Sequence, residues 1–304
     1  MDRRVKWLAA AAVAAMAAGP ASADNQWGNY HWSRSSNPLQ LDILRQIGSQ
    51  WDAAYTTAVA DWETPTGGAA DVLSLNAATV NAGVSPKKCN PISSKILVCA
   101  DQYGFRGWLG IATIWANGDH IVQGTTKLND SYHNLAPYNS DAWRSLVMCQ
   151  EIGHDFGLDH QDENFNNVNL GSCQDYTNAP AGGEYEGSDY GPSNEHPDDH
   201  DYLTLEAMYA HTDGGGGGDD GGGGCNPRSP KCSGQDAFTF REVGKPVTTS
   251  SSANSGEWGR AIGQDGAGRP DTFQLDLGNG QRKITHVFWV PGFSPEARHL
   301  GDAH

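Results

Sequence analysis

Residues 214–224 are nine glycines interrupted only by Asp219 and Asp220. Glycine has no side chain to bury and loses the most backbone freedom on folding. This stretch therefore cannot join a core, and it reads as a tether. It divides the chain into a large domain over 24–211, a linker over 212–224 and a C-terminal module over 225–304. Residues 1–23 stand apart from all three. Arg3, Arg4 and Lys6 precede an Ala-rich apolar run from Trp7 to Ala18, and Ala21-Ser22-Ala23 offers a small-residue cleavage site. That is the pattern of a secretory signal peptide, and the run is too short to span a bilayer. The mature protein is expected to be secreted, with no membrane attachment.

Charge and cysteine content narrow the function classes. The formal net charge is −16, and losing the basic leader makes the mature chain more negative still. Such a chain repels nucleic acid and anionic lipid, so neither is expected as a partner. Six cysteines, all beyond the leader, suggest disulfides in an oxidising compartment. Cys225 and Cys232 flank a short Pro-containing loop and are expected to pair. The other four allow three pairings, of which Cys89–Cys99 with Cys149–Cys173 is favoured by proximity.

Periodicity gives an α+β pattern. From Ser49, a candidate cap, the residues Trp51, Tyr55, Ala58, Val59 and Trp62 recur at helical spacing. Short apolar runs at Val72–Leu75, Ile96–Cys99, Trp108–Trp115 and His120–Val122 read as strands. A second helix is expected from Asp141 to Phe156, ended by Gly157, and a third from Asp199 to Ala210. In the C-terminal module, Phe273–Leu277 and Lys283–Val290 flank Gly278-Asn279-Gly280, a hairpin signal.

The chemistry concentrates in residues 150–160. Gln150 and His154 are four apart, on one helical face, where both could grip one ion. Glu151 is rotated about 100° from Gln150, beside such an ion rather than on it. Gly157 permits a sharp turn that returns His160 as a third ligand. Three protein ligands leave a position open for water, the arrangement of a catalytic zinc site. The ion would lower the pKa of that water to about 7, and Glu151 would accept its proton.

The segment Gln150-Glu151-Ile152-Gly153-His154-Asp155-Phe156-Gly157-Leu158-Asp159-His160 resembles the metzincin zinc signature H-E-x-x-H-x-x-G-x-x-H, with Gln150 in the place of the first His. Ser172-Cys173-Gln174-Asp175-Tyr176 resembles the S-x-M-x-Y turn of several metzincin subfamilies, with Gln174 in place of Met. The resemblance implies a metzincin-like domain, a twisted sheet with an active-site helix. It further implies a zinc metallopeptidase with metal ligands Gln150, His154 and His160 and catalytic residues Glu151 and Tyr176, acting on protein or peptide substrates. It says nothing of the C-terminal module, expected to be small and β-rich.

Other readings stay open. His196 or His200 could replace Gln150 as a ligand, although these two, like His120 and His133, read first as surface residues. Asp159–Glu163 and Glu184–Asp189 are the acidic stretches a calcium ion (Ca2+) would use, but neither has EF-hand spacing. Trp258 and Trp289 could stack on sugar rings, which would make the module a polysaccharide or cell-surface binder; a strand core is the simpler place for Trp289. The alternatives to a peptidase are thus a weak or inactive metzincin-fold binding protein and a carbohydrate-binding secreted protein. No G-x-S-x-G elbow supports a serine hydrolase.

Overall fold

The computed structural model describes residues 25–80, 84–213 and 257–293. The leader, the glycine run and the Cys225–Cys232 pair lie outside the described residues. Among those described, no helix is long and apolar enough to cross a membrane.

The fold is mixed α/β, with a large mixed sheet and few helices. Its first strands are β1 (His31–Trp32), β2 (Leu39–Gln46), β3 (Leu73–Thr79), β4 (Lys95–Asp101), β5 (Trp108–Asn117) and β6 (His120–Asn129). β2 lies between β3 and β4, parallel to both, and β4 runs parallel to β6. β5 returns antiparallel to β6. β4 and β5 are buried along most of their length, as expected for a sheet covered on both faces. The sequence reading missed β2, whose Leu39, Leu41 and Ile43 alternate inward.

Helix α1 (Asp52–Trp62) follows a 3-10 turn over Ser49–Trp51. Trp51, Tyr55, Ala58, Val59 and Trp62 form its buried face, as the spacing requires. Ser49 opens the 3-10 turn instead of capping the helix; α1 has no side-chain N-cap bond. α2 (Asp130–His133) is a single turn. α3 (Asp141–Asp155) starts where Ser140 accepts a bond from the Trp143 amide, and it packs against α1 and β5. Leu146, Val147 and Ile152 on α3 are fully buried, each worth about 1.5–3 kcal/mol relative to exposure. A two-stranded ribbon, β7 (Glu184–Tyr185) with β8 (Ser188–Asp189), precedes α4 (Asp199–Met208). Asp198 and Asp201 close a reciprocal capping box at the start of α4.

The C-terminal strands are β9 (Arg260–Gln264), β10 (Pro270–Gly278) and β11 (Gln281–Trp289), with the expected hairpin at 278–280. They continue the main sheet and do not form a layer of their own. The sheet runs β3-β2-β4-β6-β5-β11-β10-β9, with β11 antiparallel to β5 from Gln281↔Asn117 to Trp289↔Trp108. Ile284 and Phe288 enter the main core. The physical reason is that β5 would otherwise end the sheet with unpaired backbone groups. Trp289, 6% exposed, packs with Trp108, Phe273 and Val287, and Trp258 packs partly against that cluster. Trp289 therefore belongs to a core, not to a sugar-stacking surface.

The two favoured disulfides are present, Cys89–Cys99 and Cys149–Cys173. The second ties α3 to the turn that begins at Ser172.

Candidate metal centre

The end of α3 is set by Gly157. Its φ is +100°, and a Cβ there would run into the Tyr30 carbonyl oxygen. Only glycine takes this conformation in this space. The Leu158 amide then bonds back to the Gly153 carbonyl at 3.2 Å. This turn puts the Leu158 carbonyl within 2.9 Å of His154 Nδ1. Nδ1 donates to that carbonyl, so the Nε2 lone pair of His154 is free to face inward.

His160 meets it there, its Nε2 standing 3.1 Å from His154 Nε2. Its Nδ1 has carboxylate oxygens of Glu163 at 3.7 Å and Asp159 at 3.8 Å. A third imidazole, His286, comes from β11. One ring nitrogen each of His154, His160 and His286 lies within 4.8 Å of the others. A proton or a cation must stand between two imidazole nitrogens this close, and the three histidines could hold a metal ion.

The surroundings are buried and polar. Trp27 stacks on His154 with ring centroids 4.8 Å apart and planes 4° from parallel. Glu151 and His286 are 0% exposed, with Glu151 Oε2 3.4 Å from His286 Nδ1 and Oε1 unpaired. Gly110 on β5 leaves the room that Glu151 occupies: a Cβ there would lie 2.5 Å from Glu151 Oε1 and 2.7 Å from Val147 Cγ1. Tyr176 OH lies 2.7 Å from His286 Nε2 and donates to Asp271 Oδ2 at 3.1 Å.

Burial governs the protonation states. It pushes the Glu151 carboxyl well above its ordinary range, and the Asp155 charge adds to the rise. It pushes His154 and His286 well below theirs, helped by His160 beside His154 and by both rings beside His286. Burial also acts to lower His160, but Glu163, Asp159 and Asp271 outweigh it and the net shift is upward. Desolvation raises Tyr176 well above ordinary phenols, with Asp271 and Glu151 adding to it, so its hydroxyl stays protonated. Neutral imidazoles of this kind are the form that ligates metal.

Of the residues singled out in the sequence, Glu151, His154, His160 and Tyr176 come together. Gln150 is buried one turn before His154, its Nε2 donating to the Cys173 carbonyl at 2.8 Å and its Oε1 without a partner. Gln174 reaches back to the Gln150 carbonyl at 3.2 Å, so the two glutamines stitch α3 to the turn below it. His196 pairs with Asp61 at 2.7 Å, outside the cluster. His133, expected at the surface, is fully buried against Trp51, because its Nδ1 finds the Tyr138 carbonyl at 3.2 Å. Asp159 and Glu163 group with His160, whereas Glu184–Asp189 forms the exposed β7–β8 ribbon.

His286 and Asp271 were missed because they lie more than a hundred residues from the signature, beyond the glycine run. The one local sign of His286 is that it follows Thr285 as a polar pair between Ile284 and the apolar Val287-Phe288-Trp289. A cavity of ≈ 340 Å³ adjoins the cluster and shares with it Trp27 and Glu163. The sequence is matched by no protein-family model and by no curated protein.

Proposed function

We propose that this chain is a secreted zinc-dependent endopeptidase of metzincin type, with His154, His160 and His286 holding the ion and Glu151 handling the proton. The observation that carries the reading is the approach of two imidazole Nε2 atoms to 3.1 Å beside a buried, half-satisfied carboxylate. The donor set fits: three imidazole nitrogens suit zinc and leave one coordination position open. Gln150 donates its amide N–H to the Cys173 carbonyl and keeps Oε1 unpartnered; His286 is proposed as the third ligand because its ring nitrogen groups with those of His154 and His160. When bound, the ion supplies Lewis acidity toward a peptide carbonyl and acidifies a water.

The chain's own groups do the rest. Glu151, kept in a buried site that raises its proton affinity, accepts the proton of the attacking water and passes it to the leaving amine. Tyr176, whose hydroxyl stays protonated and donates to Asp271 in the structure, is the hydroxyl proposed to turn toward an oxyanion. The cavity beside Trp27 is where a substrate side chain would sit. The leader and the two disulfides support export.

One observation favours a second reading, a metzincin-fold binding protein with little or no activity. β11 runs along β5 and closes over Glu151 and His154, both 0% exposed. One experiment separates the two. The mature chain is purified, its bound zinc is measured, and hydrolysis of an unstructured protein is followed beside Glu151→Ala. Zinc with Glu151-dependent hydrolysis supports the peptidase; zinc without hydrolysis supports the binding protein; no zinc removes both metal readings.

A further inference from the structure

A second group of histidines gathers around Asp213, outside the buried centre. His31 belongs to β1, and His211 and Asp213 follow α4. His31 Nδ1 donates to the Asn29 carbonyl at 2.7 Å, which leaves its Nε2 as a lone pair. That Nε2 stands 3.2 Å from His211 Nε2 and 3.8 Å from Asp213 Oδ1. His211 Nε2 is 3.4 Å from the same Asp213 oxygen. Donors at about 2.0–2.1 Å from one tetrahedral ion are about 3.3–3.4 Å apart. Two of the three separations are of that size, and the third, His31 to Asp213, is 3.8 Å.

The carboxylate is held from behind. Asp213 Oδ2 accepts the Arg34 amide at 2.8 Å, and the Asp213 amide donates to the Arg34 carbonyl at 2.8 Å. Arg34 Nε also fixes the His211 carbonyl at 2.7 Å. Such outer contacts are what orient the ligands of a built site. His120, at the start of β6, brings its Nε2 to 3.2 Å from Asp213 Oδ1 and is the nearest further imidazole.

We propose that His31, His211 and Asp213 form a second metal site, for a borderline divalent cation such as zinc, independent of the buried centre. Two nitrogens and one oxygen would be the donor set, leaving a fourth position for water. The site's place in the fold gives it a structural role. Trp32 bonds the Tyr209 hydroxyl at 3.1 Å, and that hydroxyl donates to the Phe156 carbonyl at 2.8 Å. An ion here would clamp β1 to the end of α4, next to the turn that carries His154 toward His160.

The probe is Zn2+ alone. Native mass spectrometry of the mature chain loaded with Zn2+ should count two ions, with one in His211→Ala and one in Asp213→Asn. Titration should show zinc affinity at this site falling by more than roughly 100-fold in His211→Ala, beyond the loss of an outer contact. His211 is half exposed, so that variant is expected to fold. Zinc should also raise the unfolding temperature of His154→Ala/His160→Ala, which keeps this site alone. If that double variant does not fold, Co2+ visible spectra of the wild type and His211→Ala serve instead, and the variant should lose part of the tetrahedral absorption. Equal zinc counts in wild type and His211→Ala, or binding at this site only at roughly millimolar zinc, would overturn the proposal.

Discussion

His154 and His160 meet inside the core, whereas His31 and His211 meet at its rim. At the donor end the two pairs are alike, with Nε2 atoms 3.1 Å apart in one and 3.2 Å in the other. In each, one ring has its tautomer fixed by a backbone carbonyl accepting from Nδ1. What differs is the backing. The inner pair is walled by Trp27, Tyr176 and Glu151, and its helix is tied to the turn beneath by Cys149–Cys173. The outer pair rests on bonds from the Arg34 amide and side-chain Nε and on one shared carboxylate. In the inner cluster the Glu151 carboxylate stands beside His286 with one oxygen unpaired, whereas in the outer group the Asp213 carboxylate is one of the three proposed ligands. The contrast teaches that convergent imidazoles mark a metal candidate, and that the groups behind them decide between chemistry and support.

The largest expected effect separates the two directly. Glu151→Ala should lower hydrolysis by roughly 10²–10⁴-fold with metal content unchanged, while Asp213→Asn should lose one ion and keep most of the activity. Equal loss of activity in both would erase the distinction. Replacing Cys149 and Cys173 by serine should cost about 2–4 kcal/mol in denaturant unfolding. It should weaken zinc at the inner site and leave the outer ion in place, read by ion counts at rising chelator.

How far these differences were legible in the sequence depends on distance along the chain. Glu151, His154, Gly157 and His160 lie within one helix and one turn, so their spacing carried the geometry. The faces of α1 and α3 were readable for the same reason, since burial repeats with the helical period. β2 was missed although it alternates, and the register that sets β11 beside β5 is a contact between segments more than a hundred residues apart. No local pattern encodes such a pairing. The glycine run suggested two bodies, yet the edge of β5 needed a partner and took it from beyond that run. His286 entered the inner cluster through the same pairing, and His31 with His211 needed the two ends of residues 25–213 to come together.

Smaller changes sharpen the comparison further. Gly110→Ala places a methyl against Glu151 and Val147. It should cost roughly 1–3 kcal/mol and reduce activity, without altering zinc binding by His211; calorimetry with ion counting checks both. His120→Ala should have the least effect, weakening the outer ion by less than about 10-fold in a zinc titration and leaving the inner site untouched.

The central claim is that one ion is gripped by His154, His160 and His286. Anomalous diffraction at the zinc absorption edge, on crystals of zinc-loaded mature protein, tests it most directly. The expected result is a strong peak within bonding distance of a nitrogen from each of these three rings. Zinc-replete crystals with no peak among the three rings would contradict it.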